Sequence, residues 1–70
     1  MNEEILKNNL KVLRATHDLS QEELADKVGV TRVTINNIEN GKWAPSAVLA
    51  LRIARVFGEP FEKTFWLAEG

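Results

Sequence analysis

Ser20-Gln21-Glu22-Glu23 is the feature that most restricts what this chain can become. A serine followed three residues later by a glutamate is a capping box. The hydroxyl accepts the backbone N–H of Glu23, and the glutamate reaches back to the N–H of Ser20. A helix therefore starts at Gln21, and it cannot run far. Leu24, Ala25 and Val28 form an apolar stripe at helical spacing, and Gly29 supplies the left-handed stop after roughly two turns. Thr31 then caps a second helix, which runs to about Glu39 and ends in Asn40-Gly41.

The same punctuation organises the rest of the chain. Pro45-Ser46 opens another helix with Ser46 as its cap. Leu49, Ile53, Val56 and Phe57 lie on one stripe with Ala50, and Gly58 ends it. Pro60 fits the first turn of a final short helix through about Phe65. Upstream, Leu10 and Leu13, with Val12 beside them, suit a helix capped by Asn8 or Asn9 that fades near His17-Asp18. Met1 to Lys7 either extend that helix or form a short strand. With 70 residues there is room for one domain, spanning 1–70. Five helices with short connections make it a compact all-α fold. A chain this size buries only about 60% of its unfolded surface, so oligomerisation is a natural supplement.

Composition excludes several function classes. There is no cysteine and a single histidine, so a metal would have to rely on scattered carboxylates that read better as solvated helix faces. We expect no metal and no cofactor. Ser20 and Ser46 are committed to caps, no nucleophile–base pair is apparent, and the chain does not read as an enzyme. His17 reads as a solvent-facing helix end. No apolar run approaches the ~20 residues that span a bilayer and no signal-peptide core is present, so a cytoplasmic protein without a membrane partner is expected. No small-molecule pocket is expected in so small a core. The net charge is −1, from 9 basic and 10 acidic residues, and by itself argues against nucleic acid. A case for DNA has to rest on where individual residues sit.

Two short helices joined by a tight glycine turn are the outline of a helix-turn-helix, here over residues 21–40. Ala25 falls where the helices approach closely, Gly29 falls at the turn, and Ile35 and Ile38 point back to lock the second helix onto the first. On a wheel of ~100° per residue, the side opposite those isoleucines carries Arg32, Val33, Asn36, Asn37 and Asn40. Arginine and asparagine side chains make bidentate bonds to guanine and adenine edges. A single exposed valine means nothing in isolation. Among these polar neighbours, Val33 suits a thymine methyl, so Arg32, Val33, Asn36 and Asn37 are the candidate base contacts. Gln21 can donate its amide to a phosphate beside the free N–H groups of its helix start. Thr31 and Thr34 at the edge of the face, and Asn40, the Gly41 backbone and Lys42 after it, complete the candidate phosphate contacts, which position without reading sequence. For Gln21 and Asn40 the plainer role of serving helix ends stands beside this one. Glu22 and Glu23 oppose DNA electrostatically while favouring the helix dipole.

The stretch L-S-Q-E-E-L-A-D-K-V-G-V-T-R-V-T-I-N-N-I-E-N-G-K from Leu19 to Lys42, followed by Pro45-Ser46 and A-L-R-I-A-R-V-F-G, resembles the phage-repressor-like (xenobiotic response element) helix-turn-helix family. The resemblance covers about residues 9 to 65. It implies five helices, symmetrical dimers on palindromic operators and no catalysis. It also implies that Gln21, Asn40 and Lys42 touch phosphates while Arg32, Val33 and Asn37 face bases, and that Arg14 and Glu39 form an internal salt bridge. The chain ends, Ile5 to Lys11 and Phe61 to Leu67, are similar to those of short stand-alone regulators in which the two ends pair as a small antiparallel sheet. Glu4–Leu6 and Trp66–Ala68 are expected to do the same. Val33 departs from the family, where many members carry glutamine.

Phe61, Phe65 and Trp66 cluster near the C-terminus. Ordinary core is one reading, and a homodimer contact is the other, because aromatics are enriched at interfaces. The expected partners are therefore double-stranded DNA and a second copy of the chain, in a transcriptional regulator acting as a repressor. Two other readings stand beside this one: an antitoxin that also binds a protein partner, and a protein-interaction module that has lost DNA binding.

Overall fold

The computed structural model describes residues 4–69 as five helices and a two-stranded antiparallel sheet. In chain order they are β1 (Glu4–Asn8), α1 (Leu10–Thr16), α2 (Gln21–Val28), α3 (Arg32–Glu39), α4 (Ala47–Phe57), α5 (Phe61–Thr64) and β2 (Phe65–Glu69). For Glu4 to Lys7 the strand alternative holds; Met1 to Glu3 lie outside the described residues.

Three helices begin where a hydroxyl cap dictates. Ser20 accepts from the N–H of Glu23 while the Glu23 carboxylate accepts from the N–H of Ser20, at 3.0 and 2.9 Å, completing the capping box. Thr31 and Ser46 cap α3 and α4 through the N–H groups of Thr34 and Leu49. Gly29 and Gly58 end α2 and α4 in the left-handed conformation. The cap of α1 is offset by one residue. Asn9 sits at the cap position without using its side chain, and Asn8 Oδ1 accepts from the N–H of Leu10 at 3.1 Å.

The core is one cluster drawn from every helix except α5. Leu10, Leu13, Leu24, Ala25, Val28, Ile35, Ile38, Ala50, Ile53 and Phe57 are buried together with Phe65 of β2. Val12 lies outside it; its neighbours at helical spacing, not Val12 itself, face inward. The final helix stops one residue short of expectation, because Phe65 takes extended geometry and opens β2.

The sheet is longer than the expected Glu4–Leu6 and Trp66–Ala68. It pairs Glu4 with Glu69, Ile5 with Ala68, Leu6 with Leu67, Lys7 with Trp66 and Asn8 with Phe65. Side chains alternate across a strand, so Leu6 and Phe65 face the core while Ile5, Lys7 and Trp66 face outward. The ring of Phe65 is 1% exposed, which removes it from the candidate dimer contacts; Phe61 and Trp66 remain at the surface. A small all-α domain has therefore recruited its two ends into a ribbon, tied to the helices by the Asn9 N–H donating to the Thr64 carbonyl.

Candidate nucleic-acid interface

Helices α2 and α3 are held at a fixed angle by groups the sequence places at the turn. Ala25 is fully packed between them. Its carbonyl accepts from both Gly29 and Val30, at 2.9 and 3.0 Å, closing α2 through a Gly29 φ of +79°. From the far side of the turn, Ile35 and Ile38 bury themselves in the core, so the rest of α3 must face outward. Thr31 and Thr34 couple through their hydroxyls at the start of the helix, 3.2 Å apart.

Of the expected base contacts, Arg32 and Val33 are exposed and Asn36 and Asn37 half-buried. Val33 keeps 56% of its surface, an aliphatic side chain at the centre of a polar face. Asn37 makes no side-chain hydrogen bond among the described residues, and its amide is open to either polarity of partner. Lys42 projects from the loop after α3 and forms no ion pair among the described residues. The start of α2 lies beside the same face, with the partial positive charge of its helix end offset by Glu22 and Glu23 in the first turn.

Behind this face lies a polar network that the sequence did not reveal. Gln21 Nε2 donates to Asn36 Oδ1 at 3.2 Å and to Glu39 Oε1 at 3.0 Å. Asn40 Nδ2 donates to the Asn36 carbonyl at 3.0 Å and to Asn36 Oδ1 at 3.2 Å, and the Asn40 backbone N–H also goes to the Asn36 carbonyl. The donors expected to reach phosphates from Gln21 and Asn40 are thus turned onto the protein. The Gly41 N–H is likewise committed, to the Ile38 carbonyl. For Asn40 and Gly41 this is the closing turn of α3, and for Gln21 the physical reason is Glu39. Its carboxylate is sealed from solvent and needs every donor within reach. Arg32, 3.5 Å from Gln21 Oε1, caps the outer end of the network.

The inner end is Arg14. Its Nε and Nη2 donate to the two Glu39 oxygens at 2.6 and 3.1 Å, and Nη1 donates to the Leu19 carbonyl at 3.1 Å. The pair implied by family resemblance is present, and it spans α1, α3 and the connection into α2. The Glu39 hydrogen bond holds the guanidinium above its ordinary range, against the opposing effect of burial. Arg14 is therefore a structural cation.

Asn8 is the residue whose part in the site went unread. Its Nδ2 donates to the Ile38 carbonyl at 3.0 Å, so β1 fastens the C-terminal turn of α3. An asparagine next to a helix start signals a cap, which Asn8 also provides, and nothing local announces a partner thirty residues away. Among the described residues no cluster of histidines and carboxylates can hold a metal, and no helix is long and apolar enough to cross a membrane.

Comparison with known proteins agrees with this geometry. Residues 10–63 match the helix-turn-helix family model, which leaves both strands outside the matched segment. A protein of Bacillus subtilis (strain 168), named an uncharacterized HTH-type transcriptional regulator, is 48% identical over 64 residues, covering 91% of this chain and 97% of that protein. A protein of Methanocaldococcus jannaschii with the same description is 53% identical over 60 residues, covering 86% of this chain and 91% of its own length. Another in Methanothermobacter thermautotrophicus is 56% identical over 52 residues, 73% of this chain and 75% of that one. A capped helix pair pinned through Ala25 and Gly29, a family model matched over residues 10–63, and two relatives aligned along more than nine-tenths of their length place the chain in the helix-turn-helix family.

Proposed function

We propose that this protein is a sequence-specific, double-stranded-DNA-binding transcriptional regulator that represses as a homodimer on a palindromic operator. The observation that carries the reading is the outward face of α3. Arg32 and Val33 are exposed there, Arg32 at the 3.5 Å limit of a hydrogen bond to Gln21 Oε1, and the half-buried Asn37 has an unengaged amide, while Ile35 and Ile38 anchor the helix from behind. A guanidinium, a methyl-bearing side chain and an unengaged amide match the three kinds of group a major groove displays. Their pairing with Lys42 supplies a phosphate contact at the end of the same helix. The relatives' description as HTH-type transcriptional regulators supports the same reading.

A single eight-residue recognition helix contacts only a few base pairs. Specific affinity therefore calls for two copies, with recognition helices about 34 Å apart in successive major grooves. The surface proposed for that pairing is the apolar end carrying Phe61 and Trp66, together with Ile5 on the outer sheet face. Repression follows from occupying a promoter, and no cofactor enters the mechanism.

Selection of bound duplexes from a random pool tests the reading directly. The expected result is an inverted repeat with half-sites one helical turn apart, bound by a species of twice the chain mass. Failure to retain any duplex at low salt, with the protein folded, would leave a protein-interaction module as the remaining reading.

A further inference from the structure

In the Gln21–Asn36–Asn40 network, Gln21 and Asn40 are each oriented by a group that can only accept, and their nitrogens in turn orient Asn36. The Glu39 carboxylate, already holding Arg14 in two hydrogen bonds, takes Gln21 Nε2 at 3.0 Å, so the nitrogen end of Gln21 must point inward. That same nitrogen lies 3.2 Å from the terminal atom of Asn36, which must then be its oxygen. Asn40 gives the same answer independently. Its Nδ2 is fixed by the Asn36 backbone carbonyl at 3.0 Å and lies 3.2 Å from the same Asn36 oxygen.

An amide oxygen has two lone pairs, and Asn36 has used both. Its Nδ2 donates to nothing among the described residues, yet is not among the buried atoms left without a partner, so it opens to solvent. Reversing the amide would break both hydrogen bonds and bring N–H groups of Gln21 and Asn40 against those of Asn36.

We propose that Asn36 meets DNA only as a donor, and that Asn37 is the adenine-reading amide of α3. Reading adenine in the major groove takes both polarities at once: an oxygen to accept from the 6-amino group and a nitrogen to donate to N7. Asn36 lacks the first. It recognises an acceptor, namely purine N7, guanine O6 or thymine O4, and tolerates any base that offers one. Asn37 has both ends of its amide free. Two neighbouring asparagines thus carry different specificities, set from behind by Glu39. This rests on the DNA-binding reading above, but the direction of the amide can be tested without DNA.

In the full chain, side-chain amide exchange followed by nuclear magnetic resonance should show the Asn36 NH2 exchanging as an open amide, and those of Gln21 and Asn40 more slowly. The opposite ranking overturns the orientation. The second arm uses a selected duplex in which each adenine in turn becomes purine, lacking the 6-amino group, and each purine in turn becomes its 7-deaza form. Removing the adenine amino group read by Asn37 should weaken binding about tenfold, and Asn37→Ala should cancel that loss. Asn36→Ala should cancel no amino-group loss. Asn36→Asp keeps an acceptor for Gln21 and Asn40 while removing both donors; its added charge, close to Glu39 and to the phosphates, should lower stability and affinity for every duplex alike, and it too should cancel no amino-group loss. An amino-group loss cancelled by either Asn36 variant overturns the proposal. Absence of binding to every duplex, with amide exchange as expected, overturns the regulator reading and with it any role for Asn36 in a groove.

Discussion

Arg14 Nε lies 2.6 Å from Glu39 Oε2, and the carboxylate it neutralises has no solvent-accessible side-chain surface. The helix that presents the recognition face is therefore held at its C-terminal end by an ion pair whose carboxylate is fully buried and whose guanidinium is partly so. Such a pair is poor evidence of net stabilisation, because desolvation offsets the attraction, but removing one partner leaves a charge stranded. Arg14→Ala should cost about 3 kcal/mol in urea unfolding. Arg14→Lys should recover only part of this, since an ammonium cannot reproduce the two-pronged guanidinium geometry. A variant as stable as the parent would mean that Gln21 alone suffices to hold the Glu39 charge.

The contrast between that pair and the turn shows what a sequence can announce. Caps are bonds over three residues, so Ser20, Thr31 and Ser46 give the starts of α2, α3 and α4 in local text, and Gly29 and Gly58 give two ends. The outward and inward faces of α3 follow from its period. What stayed unread is held by distant partners. Gln21 meets Glu39 across 18 positions and Asn8 meets Ile38 across 30, and no local pattern encodes either. The sheet was expected through family resemblance alone, and its extra pairs follow once Phe65 leaves the helix for the core. Phe61, Phe65 and Trp66 read alike in sequence; only the register of β2 buries Phe65 and turns Trp66 outward.

Gly29 allows backbone strain to be separated from crowding. A Cβ built at this position meets nothing within 4 Å, yet φ is +79°. Gly29→Ala should therefore cost about 1 kcal/mol through the left-handed conformation alone. Gly29→Asn should cost less, because asparagine visits that region more readily. Thermal melts of the two variants check the order. Equal losses would point to a clash rather than to torsion.

Thr64 carries a hydroxyl that is completely buried and has no hydrogen-bond partner among the described residues. Its backbone carbonyl is well used, accepting from Asn9 at the base of the sheet. Replacing the hydroxyl by a methyl group of similar size removes an unpaired polar atom without opening a cavity. Thr64→Val should raise stability by about 1 kcal/mol, read as a higher urea midpoint with an unchanged slope.

The capping box makes stability depend on acid. The Ser20 backbone N–H, then its side chain, then the Lys27 charge hold the Glu23 carboxyl below its ordinary value of 4.5. A carboxyl lowered in the folded state contributes its stabilisation above the unfolded value and loses it as pH falls through the folded one. Unfolding measured at successive pH values should therefore show a decline beginning near 4.5 and continuing below it. Glu23→Gln still offers an oxygen to Ser20 but cannot titrate, so its acid decline should be shallower. Parallel declines would assign the acid sensitivity to another group.

Val33 and Lys42 lie at opposite ends of the recognition element and should fail differently when shortened. An exposed valine has only methyl groups to offer, and a thymine methyl is the sole base feature that rewards them. Val33→Ala should thus weaken binding by about 1 kcal/mol at one base position, with the salt dependence unchanged. Lys42 offers charge alone. Lys42→Ala should weaken binding to all sequences alike and reduce the slope of log K against log salt by about one unit. Fluorescence anisotropy on a selected operator and on its single-base variants, each over a range of salt, separates the two effects. A uniform loss from Val33→Ala would remove valine from the base-reading set, and an unchanged slope in Lys42→Ala would place that lysine off the phosphate backbone.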